Sequence, residues 1–110
     1  MANESLMWLQ EWYLNQCDGD WEHEFGIVIE TLDNPGWRLE IDLRQTDLES
    51  ARFEPMRVER AEHDWIFCEV SEGKFKASCG PKNLGEAIEM FRKWGAEHAF
   101  QRRKQRRLGG

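Results

Sequence analysis

The densest run of chemically able side chains is Cys17-Asp18-Gly19-Asp20-Trp21-Glu22-His23. Asp18, Asp20, Glu22 and His23 offer oxygen and nitrogen ligands of the kind that hold divalent cations. The spacing matches no established loop, because an EF-hand needs more oxygen donors and a bidentate Glu at its twelfth position. A strand through this run would also put Glu22 and His23 on opposite faces. No metal is therefore expected. The same run sets Cys17 near His23, a nucleophile and a base, but nothing supplies an orienting third group or an oxyanion hole.

A second thiol, Cys79, stands in Cys79-Gly80-Pro81-Lys82-Asn83-Leu84, just before a helix start that would stabilise a thiolate. A sulfurtransferase-like or phosphatase-like loop would need a cradle of backbone amides, usually closed by Arg, after a strand of a parallel sheet. Pro81 lacks an amide N–H, and the first Arg after it is Arg92. Cys68 reads as core, His63 as solvated in a polar turn, and His98 as a satisfied histidine at a core boundary. Residues 80–85 lack the spacing of a phosphate loop, so no nucleotide cofactor is expected. The six Trp could stack on bases, but no basic residues interleave Trp8 and Trp12, which favours packing.

The elements that position these residues follow from periodicity. Residues 5–17 read as a helix with Leu6, Leu9, Tyr13 and Cys17 on one stripe, flanked by Trp8, Trp12, Met7 and Leu14. Ser5 is its expected N-cap, and Asp18-Gly19 ends it. From Trp21 the period becomes two: Trp21, His23, Phe25, Ile27 and Ile29 alternate with Glu22, Glu24, Gly26, Val28 and Glu30. The turn Asp33-Asn34-Pro35-Gly36 then leads into Trp37, Leu39, Ile41 and Leu43, the clearest strand. Residues 45–55 read as a polar connection. Three more strands follow over 57–62, 65–71 and 74–79, the last two joined at Glu72-Gly73. Asn83 caps a second helix whose core stripe is Leu84, Ala87, Ile88, Phe91, Trp94 and His98. The predicted class is α+β, an antiparallel sheet of about five strands with both helices on one face. Residues 1–100 form one domain, and residues 101–110 a basic tail.

Composition narrows the function. The chain has 110 residues, 15 Lys+Arg against 21 Asp+Glu and a formal charge of −6. All the acids lie in residues 1–100, and Arg102, Arg103, Lys104, Arg106 and Arg107 make the tail basic. An acidic body disfavours nucleic acid, whose binding rests on neutralised phosphates, and favours a basic partner. The tail leaves a nucleic-acid-binding module as an alternative, beside a small enzyme built on Cys17 and His23. No apolar run reaches the ~20 residues of a membrane span, and no export signal opens the chain. Three Cys without close pairing suit a reducing cytoplasm.

Several strings are distinctive: Trp8-Leu9-Gln10, Trp12-Tyr13, Cys17-Asp18-Gly19-Asp20-Trp21-Glu22-His23, Thr31-Leu32-Asp33-Asn34-Pro35-Gly36-Trp37 and Gly80-Pro81-Lys82-Asn83-Leu84. In these the chain resembles the immunity protein 53 family of bacterial polymorphic toxin systems, over roughly residues 6–95. The resemblance implies a small cytoplasmic α+β protein that binds and neutralises a toxin encoded beside it, with no catalytic site or cofactor. The charge suggests a basic toxin domain, such as a nuclease. An acidic surface of Asp18, Asp20, Glu22, Glu24 and Asp33 is the expected toxin contact, with Trp12 and Trp37 as exposed aromatic anchors.

Overall fold

The computed structural model describes residues 2–109, with side-chain surroundings from Glu4 to His98. The helix α1 (Ala2–Gln16) is followed by one short turn of helix, α2 (Trp21–Glu24). Five strands come next: β1 (Ile27–Leu32), β2 (Gly36–Asp42), β3 (Met56–Ala61), β4 (Asp64–Ser71) and β5 (Lys74–Cys79). The helix α3 (Leu84–Gly109) closes the chain. The side chains of the basic stretch 101–110 lie outside the described residues. Among the described residues no helix is long and apolar enough to cross a membrane.

All pairings are antiparallel, and the strand order is β1-β2-β5-β4-β3, so the fold is α+β. Register decides which residues share a face. Ile41 lies opposite Phe75, Leu39 opposite Ala77, and Cys68 opposite Ala77 from the other side. These residues, with Ile66 and Cys79, form the buried face of the sheet. The opposite face carries Glu30, Arg38, Glu40, Lys74 and Lys76, and Arg38 pairs with Glu30 while Lys74 pairs with Glu40.

Aromatic rings bind the covering layers to that buried face. Phe75 of β5 meets Phe91 of α3 at 5.1 Å between ring centroids, and Trp12 of α1 meets Phe91 at 5.1 Å. Residues 43–55 cross from β2 to β3 and add a third cover. This connection is irregular, as expected, but it is not merely polar: Leu43 and Leu48 are fully buried, and Phe53 packs on Phe75 and Trp94. Thr46 ties it locally, donating to the Leu43 carbonyl at 2.6 Å and accepting from the Leu48 amide at 3.1 Å.

Three expectations are corrected. α1 begins at Ala2, so Ser5 lies inside it and is not its N-cap. Trp21–Glu24 is helical and not the start of a strand, so β1 begins at Ile27. The inward stripe of α1 is Ser5, Leu9 and Trp12, with Trp8 beside it, while Leu6, Met7, Tyr13 and Leu14 are exposed. The turn residues behave as read: Glu72 and Gly73 both take positive φ, 57° and 74°, the geometry of a two-residue hairpin turn.

Gly36 is required by close packing, because a Cβ there would lie 2.3 Å from the Cys79 carbonyl oxygen. Gly36→Ala should cost about 1–3 kcal/mol as the two strands are pushed apart. Gly85, where a Cβ would meet nothing within 4 Å, supplies the control. Gly85→Ala should be neutral or stabilise by about 0.5–1 kcal/mol. Thermal melting of both variants checks the pair.

Candidate functional site

The acidic turn between α1 and β1 divides into two kinds of carboxylate. Asp18 Oδ1 accepts from the Asp20 and Trp21 amides, each at 2.9 Å, and so closes the turn that leads into α2. Glu22 reaches back, accepting from the Asp18 amide at 2.9 Å and the Gly19 amide at 2.9 Å. Gly19 sits at φ 97°, a conformation that suits glycine and lets the chain reverse between the helices. This reciprocal arrangement fixes the turn that leads into α2. The ring of Trp21, 2% exposed, then locks it to the core, its Nε1 donating to the Arg44 carbonyl at 2.9 Å.

The electrostatics follow these bonds. The Trp21 amide, then that of Asp20, holds the Asp18 carboxyl below its ordinary range. Glu22 is lowered as well, by its own amide first and then by those of Asp18 and Gly19. Asp20, Glu24 and Asp33 are exposed. The turn therefore spends Asp18 and Glu22 on its own backbone and presents Asp20 and Glu24 outward.

The two tryptophans differ from expectation. Trp12 is only 4% exposed and lies in the core against Phe91 and Trp21, so it offers no surface anchor in the folded chain. The inward stripe of α1 lies about one position from the one its apolar pattern predicts. Trp37 is half-buried, and its Nε1 donates to the Pro81 carbonyl at 3.0 Å, pinning β2 to the turn before α3.

No catalytic constellation assembles among the described residues. Cys17 donates its thiol to the Tyr13 carbonyl at 3.3 Å, and no hydrogen bond joins it to the exposed His23. Burial pushes the Cys68 thiol up to about 12 and the Cys79 thiol up to about 11, the reverse of an activated nucleophile. Among the described residues no group of three or more His, Cys, Asp and Glu side chains converges to hold a metal ion. His98 is half-buried, with Nδ1 at 3.0 Å from the Trp94 carbonyl.

Asn83, buried ahead of α3, makes a network that sequence reasoning missed. Its Oδ1 accepts from the Trp65 amide at 3.3 Å, and its Nδ2 donates to Asp64 at 3.0 Å and Glu86 at 3.3 Å. Arg60 bridges the same two carboxylates, at 2.9 Å to Asp64 and 2.7 Å to Glu86. Only the spacing of Asn83 and Glu86, three residues apart at a helix start, hinted at it. The cluster ties β3, β4 and α3 together and has the character of a structural clamp.

A profile of immunity protein 53 matches residues 6–96. The chain belongs to the immunity protein 53 family. No curated protein and no solved structure matches it. The matched range takes in α1, the acidic turn, the whole sheet and the buried start of α3, and stops before the basic stretch. Within the matched range, Asp18 and Glu22 bond the turn before α2, Trp21 and Trp37 anchor α2 and β2, and Gly36 admits Cys79.

Two outcomes follow. Asp18 and Glu22 have folded-state pKa values below their ordinary ones, so they contribute stability in full above the unfolded-state values and lose it as pH falls through the folded ones. Melting temperature should therefore drop on acidification, and Asp18→Asn should make that acid limb shallower. An unchanged limb would show that the turn bonds do not matter to stability. Separately, iodoacetamide at neutral pH should leave Cys68 and Cys79 unmodified in the native protein and alkylate both after unfolding, as peptide mass spectrometry would show. Native labelling of Cys79 faster than in the unfolded control would restore a thiol-enzyme reading.

Proposed function

We propose that this member of the immunity protein 53 family binds a cognate bacterial toxin domain in the cytoplasm and neutralises it as a stoichiometric inhibitor, without catalysis of its own. One observation carries the mechanism. Residues 1–37 hold eight Asp and Glu and no Lys or Arg, so α1, α2 and β1 form an acidic flank. Glu30 is matched by Arg38, and Asp18 and Glu22 are bonded to backbone. Glu4 and Glu11 of α1 are exposed, and so are Asp20, Glu24 and Asp33 around α2 and β1.

A basic toxin, such as a nuclease with a phosphate-binding cleft, would be steered to such a flank, and like-charged surfaces would be rejected. The buried state of Trp12 moves the hydrophobic part of the contact elsewhere. Among the described residues of this stretch, Leu6, Met7, Tyr13, Leu14, Val28 and Ile29 are the exposed large apolar side chains.

The decisive experiment expresses the toxin domain encoded beside this chain in a sensitive bacterium, with and without the chain. Growth should be restored, and a one-to-one complex should co-purify. Asp20→Lys combined with Glu24→Lys should slow association at least tenfold at low salt, with the difference shrinking as salt rises. Association rates equal to wild type at every salt concentration would rule out the acidic flank as the contact.

A further inference from the structure

The two edges of the sheet are built differently. The β3 edge has Pro55 just before it, carries Arg57, Glu59 and Arg60, and breaks register between Glu59 and Ala61. Charges, a bulge and an adjacent proline are the devices that keep foreign strands from pairing. The β1 edge has neither a bulge nor a proline just before it. It is six residues, Ile-Val-Ile-Glu-Thr-Leu, in unbroken register with β2, and its one charge, Glu30, is held by Arg38.

Hydrogen-bond alternation identifies which groups β1 leaves open. The Asp42 amide donates to the Gly26 carbonyl at 3.0 Å, so Gly26 and Asp42 form a bonded pair at the start of the ladder. Bonded and non-bonded pairs alternate in an antiparallel ladder. Ile27, Ile29 and Thr31 are therefore the residues whose N–H and C=O groups point away from β2, toward the open edge. Val28 is 47% exposed on the outer face and Ile29 41% exposed on the other, so apolar side chains border this edge above and below.

We propose that β1 is the docking edge of the immunity protein, extended by a strand of the toxin through main-chain hydrogen bonds to Ile27, Ile29 and Thr31. The inference rests on the immunity reading and names the surface it uses. The occupant is fixed by charge. Asp20 and Glu24 precede β1 and Asp33 follows it, within 37 residues that contain no Lys or Arg. A second copy added antiparallel would lay Asp33 of each chain near Glu24 of the other, and like charges across strands are unfavourable. A toxin strand with apolar residues toward Val28 and Ile29, flanked by Lys or Arg, satisfies both the apolar borders and the acidic ends.

The test uses the full chain and a catalytically disabled form of the toxin domain encoded beside it. Thr31→Pro removes one outward N–H at a position where an edge strand tolerates proline, and Ile29→Lys places a charge on the edge. Each should weaken binding at least tenfold and abolish growth protection. Met56→Lys, an equally exposed apolar position on the opposite edge (42%), should bind as wild type. Hydrogen exchange at the Ile27, Ile29 and Thr31 amides should slow in the complex. Wild-type binding with all three variants unaffected, and those amides unprotected, overturns the edge assignment while leaving immunity intact. Failure of wild type to bind or protect removes the immunity reading and the edge with it. A dimer of the chain alone that Ile29→Lys dissociates would assign the edge to a second copy instead.

Discussion

The contact of Phe75 with Phe91 is the constraint on which the rest of the molecule depends. Both side chains are fully buried, and their rings meet at 5.1 Å where the central strand of the sheet faces α3. Phe91 also takes the edges of Trp8 and Trp12 from α1, while Phe75 takes Phe53 from the crossing segment. Three covering layers are thus registered on one pair of rings. Aromatic pairs in edge-to-face geometry add about 0.5–1.5 kcal/mol beyond the area they bury. Dispersed over a chain of this size, such contacts compensate for a sheet that has a core on only one side.

That one-sidedness shapes the surface. With both helices and the connection on a single face, the other face must be made of residues that tolerate water. It is laid out as alternating charge across β1, β2 and β5, with Glu30, Arg38, Glu40 and Lys74 in pairs. The covering layers shield the middle of the sheet and leave both of its margins to manage themselves. The β3 margin is guarded by charge and a bulge. The β1 margin is left largely apolar and regular.

Much of this was legible in the sequence, and the misses have physical causes. β2, β4, β5 and the buried part of α3 carry strong periodicity and local turn signals, so their places could be read within a residue or so. The run from Trp21 to Phe25 also alternates, yet it folds as a helical turn. There the turn bonds of Asp18 and the returning Glu22 carboxylate outweigh a pattern of only two apolar residues. α1 has apolar side chains around most of its circumference, so composition could not fix its phase. Gly95, distant in sequence, helps fix it, because its bare Cα admits the ring of Trp8, which a Cβ would approach to 2.9 Å. The pairing of β2 with β5 joins residues some forty positions apart, and no local signal announces it.

The candidate site shows the same division between pattern and environment. Spacing alone grouped Asp18, Asp20, Glu22 and Glu24 as one acidic surface, but two of them are consumed by the turn that presents the others. Removing Asp18 or Glu22 would perturb the fold before it reported on any partner, whereas Asp20, Glu24 and Asp33 can be altered with the backbone left alone. The acidic turn is thereby rigid at its base and charged at its rim. This suits steering better than gripping, since exposed charges raise encounter rates more than they hold a complex. In the proposed docking the holding comes from groups that lose water on contact, and the acidic flank offers these as the open amides and apolar borders of β1 beside the exposed Leu6, Met7, Tyr13 and Leu14 of α1.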